Sequence, residues 1–190
     1  MDRLLTRREI IALSAIALAG LLSYLSGFDY WLASAMGGRA AHGISLFIST
    51  DYFVLFELTG LMVVYLKNRK AAAALIISTI LVFALQIAFT DFAPRARPPQ
   101  ALPIGDVLMS IIRRSGASSS FFSGHTASVI AVYATCAGIG LYPTAALLLA
   151  VPVIISRLLL VQHYLSDVLG GIIFGYVAAK AALAWLRVKA

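Results

Sequence analysis

His163 and Asp167 stand four residues apart in the stretch Ser156 to Asp167, with Arg157 just upstream and mostly apolar residues between. Read as one helix, this stretch places Ser156, His163 and Asp167 within about 40° of one another, and Arg157 about 9 Å further along the axis. An i,i+4 carboxylate reaches an imidazole, and a histidine oriented by an acid is the usual way to make that ring a nucleophile or base. The forked Arg157 guanidinium suits a phosphate. Alone, the stretch is equally compatible with a buried ion pair that ties helices together.

Two further pieces share its chemistry. One is Thr90-Asp-Phe-Ala-Pro-Arg95-Ala-Arg97-Pro98; the other is Ser118-Ser-Ser-Phe-Phe-Ser123-Gly124-His125-Thr126. Ser123 reads as a helix cap, and Gly124 lets backbone approach a ligand. The helix start that follows offers free N–H groups and a positive dipole end to an anion. His125 sits there, placed to give or take a proton. In isolation His125 is an interfacial histidine; beside two arginine-bearing pieces and a second histidine, the functional reading is the stronger one.

The elements that must position these pieces are membrane spans. Of 190 residues, 61% are hydrophobic and 12% charged, a balance far from that of soluble domains. The apolar runs are long enough to cross a bilayer. They predict a single domain over 1–190, an all-α integral membrane bundle of six transmembrane helices. The expected spans are 10–25, 44–66 (with Ser49-Thr50-Asp51 as an optional N-terminal cap), 71–89, 125–141, 145 into the His163 stretch, and 168–186. A signal peptide is the rival reading of the first run, since its basic start and apolar core fit both. Gly27 to Gly43 reads as a short interfacial segment with boundary aromatics.

The net charge of +7 comes without a basic tract, so the cations fit topology and an anionic ligand and argue against nucleic acid. Six spans put both termini on one side; Arg3, Arg7, Arg8, Lys67, Arg69, Lys70, Arg187 and Lys189 then all face the cytoplasm, with Lys180 able to snorkel towards it, and the 90–123 insertion and His163 lie together on the opposite face. Four of the six prolines interrupt that insertion. Cys136 is the only cysteine, which leaves no internal disulfide and makes a cysteine-based metal site unexpected. Asp51 and Glu57, in or near the second span, are functional candidates by location. A hydrogen bond to a neighbouring helix is the plainer role for Glu57.

Together the three pieces resemble the signature of the type 2 phosphatidic acid phosphatase family, which shares its site with vanadium haloperoxidases and bacterial acid phosphatases. Ser156-Arg157-x5-His163-x3-Asp167 matches the pattern in full. Ser123-Gly124-His125 matches with Phe122 where the family has Pro, and Arg97-Pro98 matches with Thr90 where the family has Lys. The resemblance implies a metal-independent lipid phosphatase, without cofactor, in a bacterial-type inner membrane with its site facing the periplasm or exterior. His163 would attack phosphorus with Asp167 holding its ring, and His125 would protonate the leaving group and then activate water. Arg97, Arg157, Ser123 and the Gly124 N–H would hold the phosphoryl oxygens. Thr90 donates a hydrogen bond but no charge, which makes Arg95 the candidate to supply the charge of the absent Lys.

The expected partner is a lipid phosphate: phosphatidic acid, phosphatidylglycerol phosphate, polyprenyl pyrophosphate or lipid A phosphate. A lipid phosphotransferase with the same intermediate, a haloperoxidase and a non-enzymatic lipid-binding or transport protein are the alternatives.

Overall fold

A computed structural model describes residues 4–36, 45, 47–92, 94–98 and 119–188. Among these, seven α-helices and no strands are found. The helices are α1 (Arg7–Leu25), α2 (Phe28–Met36), α3 (Phe53–Lys67), α4 (Arg69–Phe92), α5 (Gly124–Gly138), α6 (Pro143–Leu159) and α7 (Leu165–Trp185). Four helical stretches are long and apolar enough to cross a membrane: Arg7–Leu25, Ile48–Lys67, Arg69–Phe89 and Leu165–Trp185. At 15 and 17 residues, α5 and α6 fall short of that length.

The packing is that of a membrane protein. Large apolar side chains face outward, among them Leu18, Leu22, Leu58, Met62, Leu66, Ile80 and Leu148, while the interior is lined with Ala71, Ala74, Ala127, Ala131, Ala134, Ala179 and Ala182. In lipid there is no hydrophobic gain from hiding a leucine, so close contact between small residues holds helices together. The central helix is α7, which packs against α5, α4 and α1. A Cβ built on Gly175 would lie 2.1 Å from the Ala127 carbonyl oxygen and 2.8 Å from that residue's Cα, and one on Gly171 would lie 2.6 Å from the Ser123 carbonyl oxygen. These obstacles are backbone, so only a separation of α5 from α7 relieves them. Gly175→Ala is therefore expected to cost about 1–3 kcal/mol, read as a lowered thermal unfolding midpoint in detergent micelles.

Local signals set the helix ends. Thr6 and Glu9 form a reciprocal capping box at the start of α1. Glu9 also binds Lys180 Nζ at 3.0 Å and accepts from the Tyr176 hydroxyl, which fastens the beginning of α1 to the far half of α7. Lys180 is thus paired within the protein, where charge patterning alone suggested that it reaches for the membrane surface. Pro152 lies inside α6 and cannot donate to the helix ladder; one turn back, the Leu149 carbonyl accepts from the Tyr52 hydroxyl at 2.9 Å.

Two local expectations are corrected. Ser49-Thr50-Asp51 caps nothing: it belongs to a π-helical turn, Ile48–Tyr52, that runs straight into α3. In the stretch read as interfacial, whose residues 37–43 lie outside the described ones, Asp29 is fully buried within the protein near the start of α2, while Tyr30 and Trp31 beside it are exposed. Most important, Ser156 to Asp167 is not one helix. α6 ends at Leu159, and the chain reverses through Leu160–Tyr164 with Val161 at a φ of +52° before α7 begins.

Candidate active site

The C-terminal ends of α1, α4 and α6 and the N-terminal ends of α3, α5 and α7 meet at one end of the bundle. Hydrogen bonds between loops join the three motif pieces there. The Ser120 N–H donates to the Arg95 carbonyl at 2.7 Å, and the Arg95 N–H donates to Ser119 Oγ at 3.1 Å. The Ser123 N–H donates to the Asp167 carbonyl at 3.0 Å. The first piece is thus laid against the second, and the second against the third.

Those contacts fix His163. Its Nδ1 lies 2.8 Å from the Ser120 carbonyl oxygen and 3.8 Å from Asp167 Oδ2. A carbonyl only accepts, so Nδ1 carries the proton and the free lone pair belongs to Nε2. At 3.8 Å Asp167 acts on the ring by charge, and the orienting hydrogen bond comes from Ser120. Burial holds the imidazole down at about 4, Arg97 and Arg157 push the same way, and Asp167 opposes them. The ring is therefore uncharged at neutral pH, as a nucleophile must be.

The nearness of Asp167 to His163 does not come from a shared helix face. Asp167 is the third residue of α7 and folds back to accept the Tyr164 N–H at 2.9 Å, which caps the helix and brings the carboxylate towards the turn that carries His163. Its other oxygen binds Arg95 Nη1 at 2.6 Å.

Arg95 does not line the cavity described below. Its guanidinium bridges Asp167 and Asp29, the latter at 2.8 Å, donates to Ser166 Oγ at 2.6 Å, and lies over the rings of Tyr164 and Tyr24. Burial opposes its charge, but the two carboxylates outweigh burial and raise its pKa above the ordinary arginine range. The fully buried Asp29 also accepts from Ser23 Oγ at 2.7 Å, from the Ser166 N–H at 3.1 Å and from the Ser166 hydroxyl. The place of Arg95 is thus among carboxylates, whereas the sequence suggested a substitute for the absent Lys. Thr90 falls in the last turns of α4; its side chain lies outside the described residues.

A cavity of about 770 Å³ opens beside this network, with Arg97, Gly124, His125, Arg157 and His163 in its wall. Arg97 is anchored by Gln162 through the side-chain oxygen at 2.9 Å and the carbonyl at 3.3 Å. Arg157 is anchored by the Ser49 hydroxyl on the π-helical turn. The His125 ring lies 4.3 Å from that of Phe53, centroid to centroid. Ser123 stands at the N-cap position of α5, but its hydroxyl accepts from Thr126 Oγ1 at 3.0 Å and makes no cap bond of its own. It is fully buried and forms no part of the cavity wall.

The roles of Asp29, Ser120, Gln162 and Ser166 went unread in the sequence, and Ser49 was read only as part of a helix cap. Gln162 had a signal, being a polar residue beside His163 in an apolar run. The others are ordinary serines and an aspartate whose partners lie far along the chain.

Fold and site together describe a helical membrane protein whose basic cavity carries two histidines. A family model for the PAP2 superfamily matches residues 70–189. The chain belongs to that superfamily, and this membership supports a phosphatase-type function. The crystal structure of a transmembrane PAP2-type phosphatidylglycerolphosphate phosphatase from Bacillus subtilis matches with a TM-score of 0.65 over 95% of both chains, at 18% sequence identity. At that identity the likeness speaks for the fold. No curated protein matches the sequence.

Proposed function

We propose that the protein is a membrane lipid phosphatase that hydrolyses a phosphomonoester or pyrophosphate of a lipid through a phosphohistidine at His163. The observation that carries this reading is the His163 ring held by Nδ1 on the Ser120 carbonyl, which leaves the Nε2 lone pair free, in a cavity also walled by His125, Arg97 and Arg157. Nε2 attacks phosphorus as the bond to the leaving oxygen breaks, and His125 gives that oxygen a proton. His125 then takes a proton from water, whose oxygen attacks phosphorus and breaks the N–P bond. Arg97, Arg157 and the Gly124 N–H at the start of α5 hold the phosphoryl oxygens as charge moves onto them. Asp167 stabilises the positive charge that His163 gains, and Ser123, Arg95 and Asp29 hold the two chain segments around it.

The protein's own groups carry each step, without a metal. Six helices cross the membrane in this reading, α5 and α6 included, with both termini in the cytoplasm and the cavity mouth on the outer face of the inner membrane. The antiparallel succession of α1, α3, α4, α5, α6 and α7, each with one end at the site, supports it.

Phosphate release from phosphatidic acid, phosphatidylglycerol phosphate, polyprenyl pyrophosphate and lipid A phosphate, measured in EDTA across pH, tests the proposal. At least one lipid is expected to be turned over. Because the nucleophile is lost on protonation, the acid limb of kcat/KM should come as the pH drops through about 4, and an alkaline limb should appear where His125 loses the proton it gives to the leaving oxygen. Absence of release from all four lipids, or release that EDTA abolishes, refutes it.

A further inference from the structure

The wall of the catalytic cavity contains a carboxyl group that the chemistry above does not use. Glu57 lies on α3, and its Oε1 is buried without a hydrogen-bond partner among the described residues. An unpartnered carboxyl oxygen in an apolar span is costly whether or not it is ionised, and such groups persist in membrane helices where function requires them. A substrate is the natural source of the missing partner, because the same cavity holds the reacting groups.

Its depth indicates which part of a substrate it meets. Phe53 is level with the His125 ring, which it contacts. Glu57 follows one turn later, roughly 6 Å further from the phosphate end, and helical side chains lean back towards the N-terminus, which shortens that gap. Val54, Leu58 and Phe83 line the cavity and are exposed on the outer surface, so the cavity opens sideways between α3 and α4 towards lipid tails. A lipid with its phosphate among Arg97, Arg157 and His163, and its tail between α3 and α4, passes Glu57 just beyond the leaving oxygen.

We propose that Glu57 is a specificity-determining residue that hydrogen-bonds an oxygen on the carbon next to the leaving alkoxyl carbon, and so selects glycerol-derived lipid phosphates over prenyl phosphates. In a glycerol phosphate that neighbouring carbon bears an oxygen three bonds from the leaving oxygen: a hydroxyl, which can donate to the Glu57 carboxyl, or an ester oxygen, which only accepts and so takes its hydrogen from Glu57 as the neutral carboxylic acid. In a prenyl phosphate the same place is occupied by an alkene carbon, which leaves Glu57 unpaired in the complex. Pockets built around a hydrogen bond discriminate strongly against the analogue that lacks it. The inference rests on the phosphatase reading and deepens it.

The test compares kcat/KM for dioleoyl phosphatidic acid and farnesyl monophosphate in the same mixed micelles, for the wild type, Glu57→Leu and Glu57→Gln. The wild type is expected to prefer phosphatidic acid. Glu57→Leu is expected to cut the phosphatidic acid to farnesyl phosphate ratio by about ten-fold or more, while Glu57→Gln, which keeps a hydrogen-bonding group, retains most of it. An equal fall on both substrates gives Glu57 a purely structural role and overturns the assignment, as does a ratio that Leu leaves unchanged. Release from neither substrate by the wild type counts against the phosphatase reading itself, a result distinct from release with an unaltered ratio.

Discussion

His163→Ala is expected to reduce lipid-phosphate turnover by roughly 10⁴-fold or more, with no substrate spared, because in the proposed mechanism it removes the atom that bonds to phosphorus. The loss should fall on kcat for good and poor leaving groups alike. Structural damage does not account for a loss of that size. The ring gives up one hydrogen bond, from Nδ1 to the Ser120 carbonyl, and leaves a small void beside a cavity that is already open. That costs on the order of 1–3 kcal/mol of stability. Detergent-solubilised His163→Ala should therefore elute as the wild type does and unfold only a little earlier. A rapid base quench during turnover should trap phosphorus on the wild-type chain, in a form lost in acid, and none on the variant. Trapping in both would move the nucleophile to another residue.

Arg95→Ala is expected to have the second largest effect, and on stability as well as rate. The side chains of Asp29 and Asp167 are fully buried, and Arg95 is the cation that bridges them. Removing one partner of a buried ionic network typically costs about 3–5 kcal/mol, since the remaining charges lose their compensation without regaining water. The consequence for turnover runs through Asp167, which then keeps the Tyr164 N–H but loses the cation that holds its other oxygen. Turnover should drop mainly in kcat, whereas an arginine that gripped phosphate directly would show a raised KM. Arg95→Lys should rescue little, because one ammonium cannot reproduce a fork that reaches both carboxylates and Ser166. Combined with Asp29→Ala, which removes one of the stranded charges, Arg95→Ala should cost less than the two single changes added together. Near-wild-type unfolding of Arg95→Ala in micelles would contradict this account of the network.

The candidate site residues that share one cavity could be picked out in the sequence because each motif piece is local: Ser123-Gly124-His125 and Arg97-Pro98 are contiguous, and His163 and Asp167 are four apart. The all-helical membrane character was legible from the length of the apolar runs. The geometry that joins the pieces was not. His163 and Asp167 do approach one another, but through a chain reversal and a helix-capping carboxylate; an unbroken helix was the simpler extrapolation from an apolar run without glycine or proline. Asp29 carried no sign of its role, since its partners Arg95 and Ser166 are 66 and 137 residues away. The part played by Arg95 was hidden for the same reason: its neighbour in sequence, Arg97, lines the cavity, and only the fold turns the two guanidinium groups to different tasks.

The attachment of Asp29 has a consequence for biogenesis. A nascent chain delivers Asp29 to the membrane long before Arg95 exists to neutralise it, and Ser166 emerges later still. Until the final helix leaves the ribosome and docks, the first hairpin holds an acid that water or a chaperone must shelter. Assembly of the candidate site thus waits for the synthesis of α7, and a truncated translation product lacking α7 is an expected target for membrane quality control.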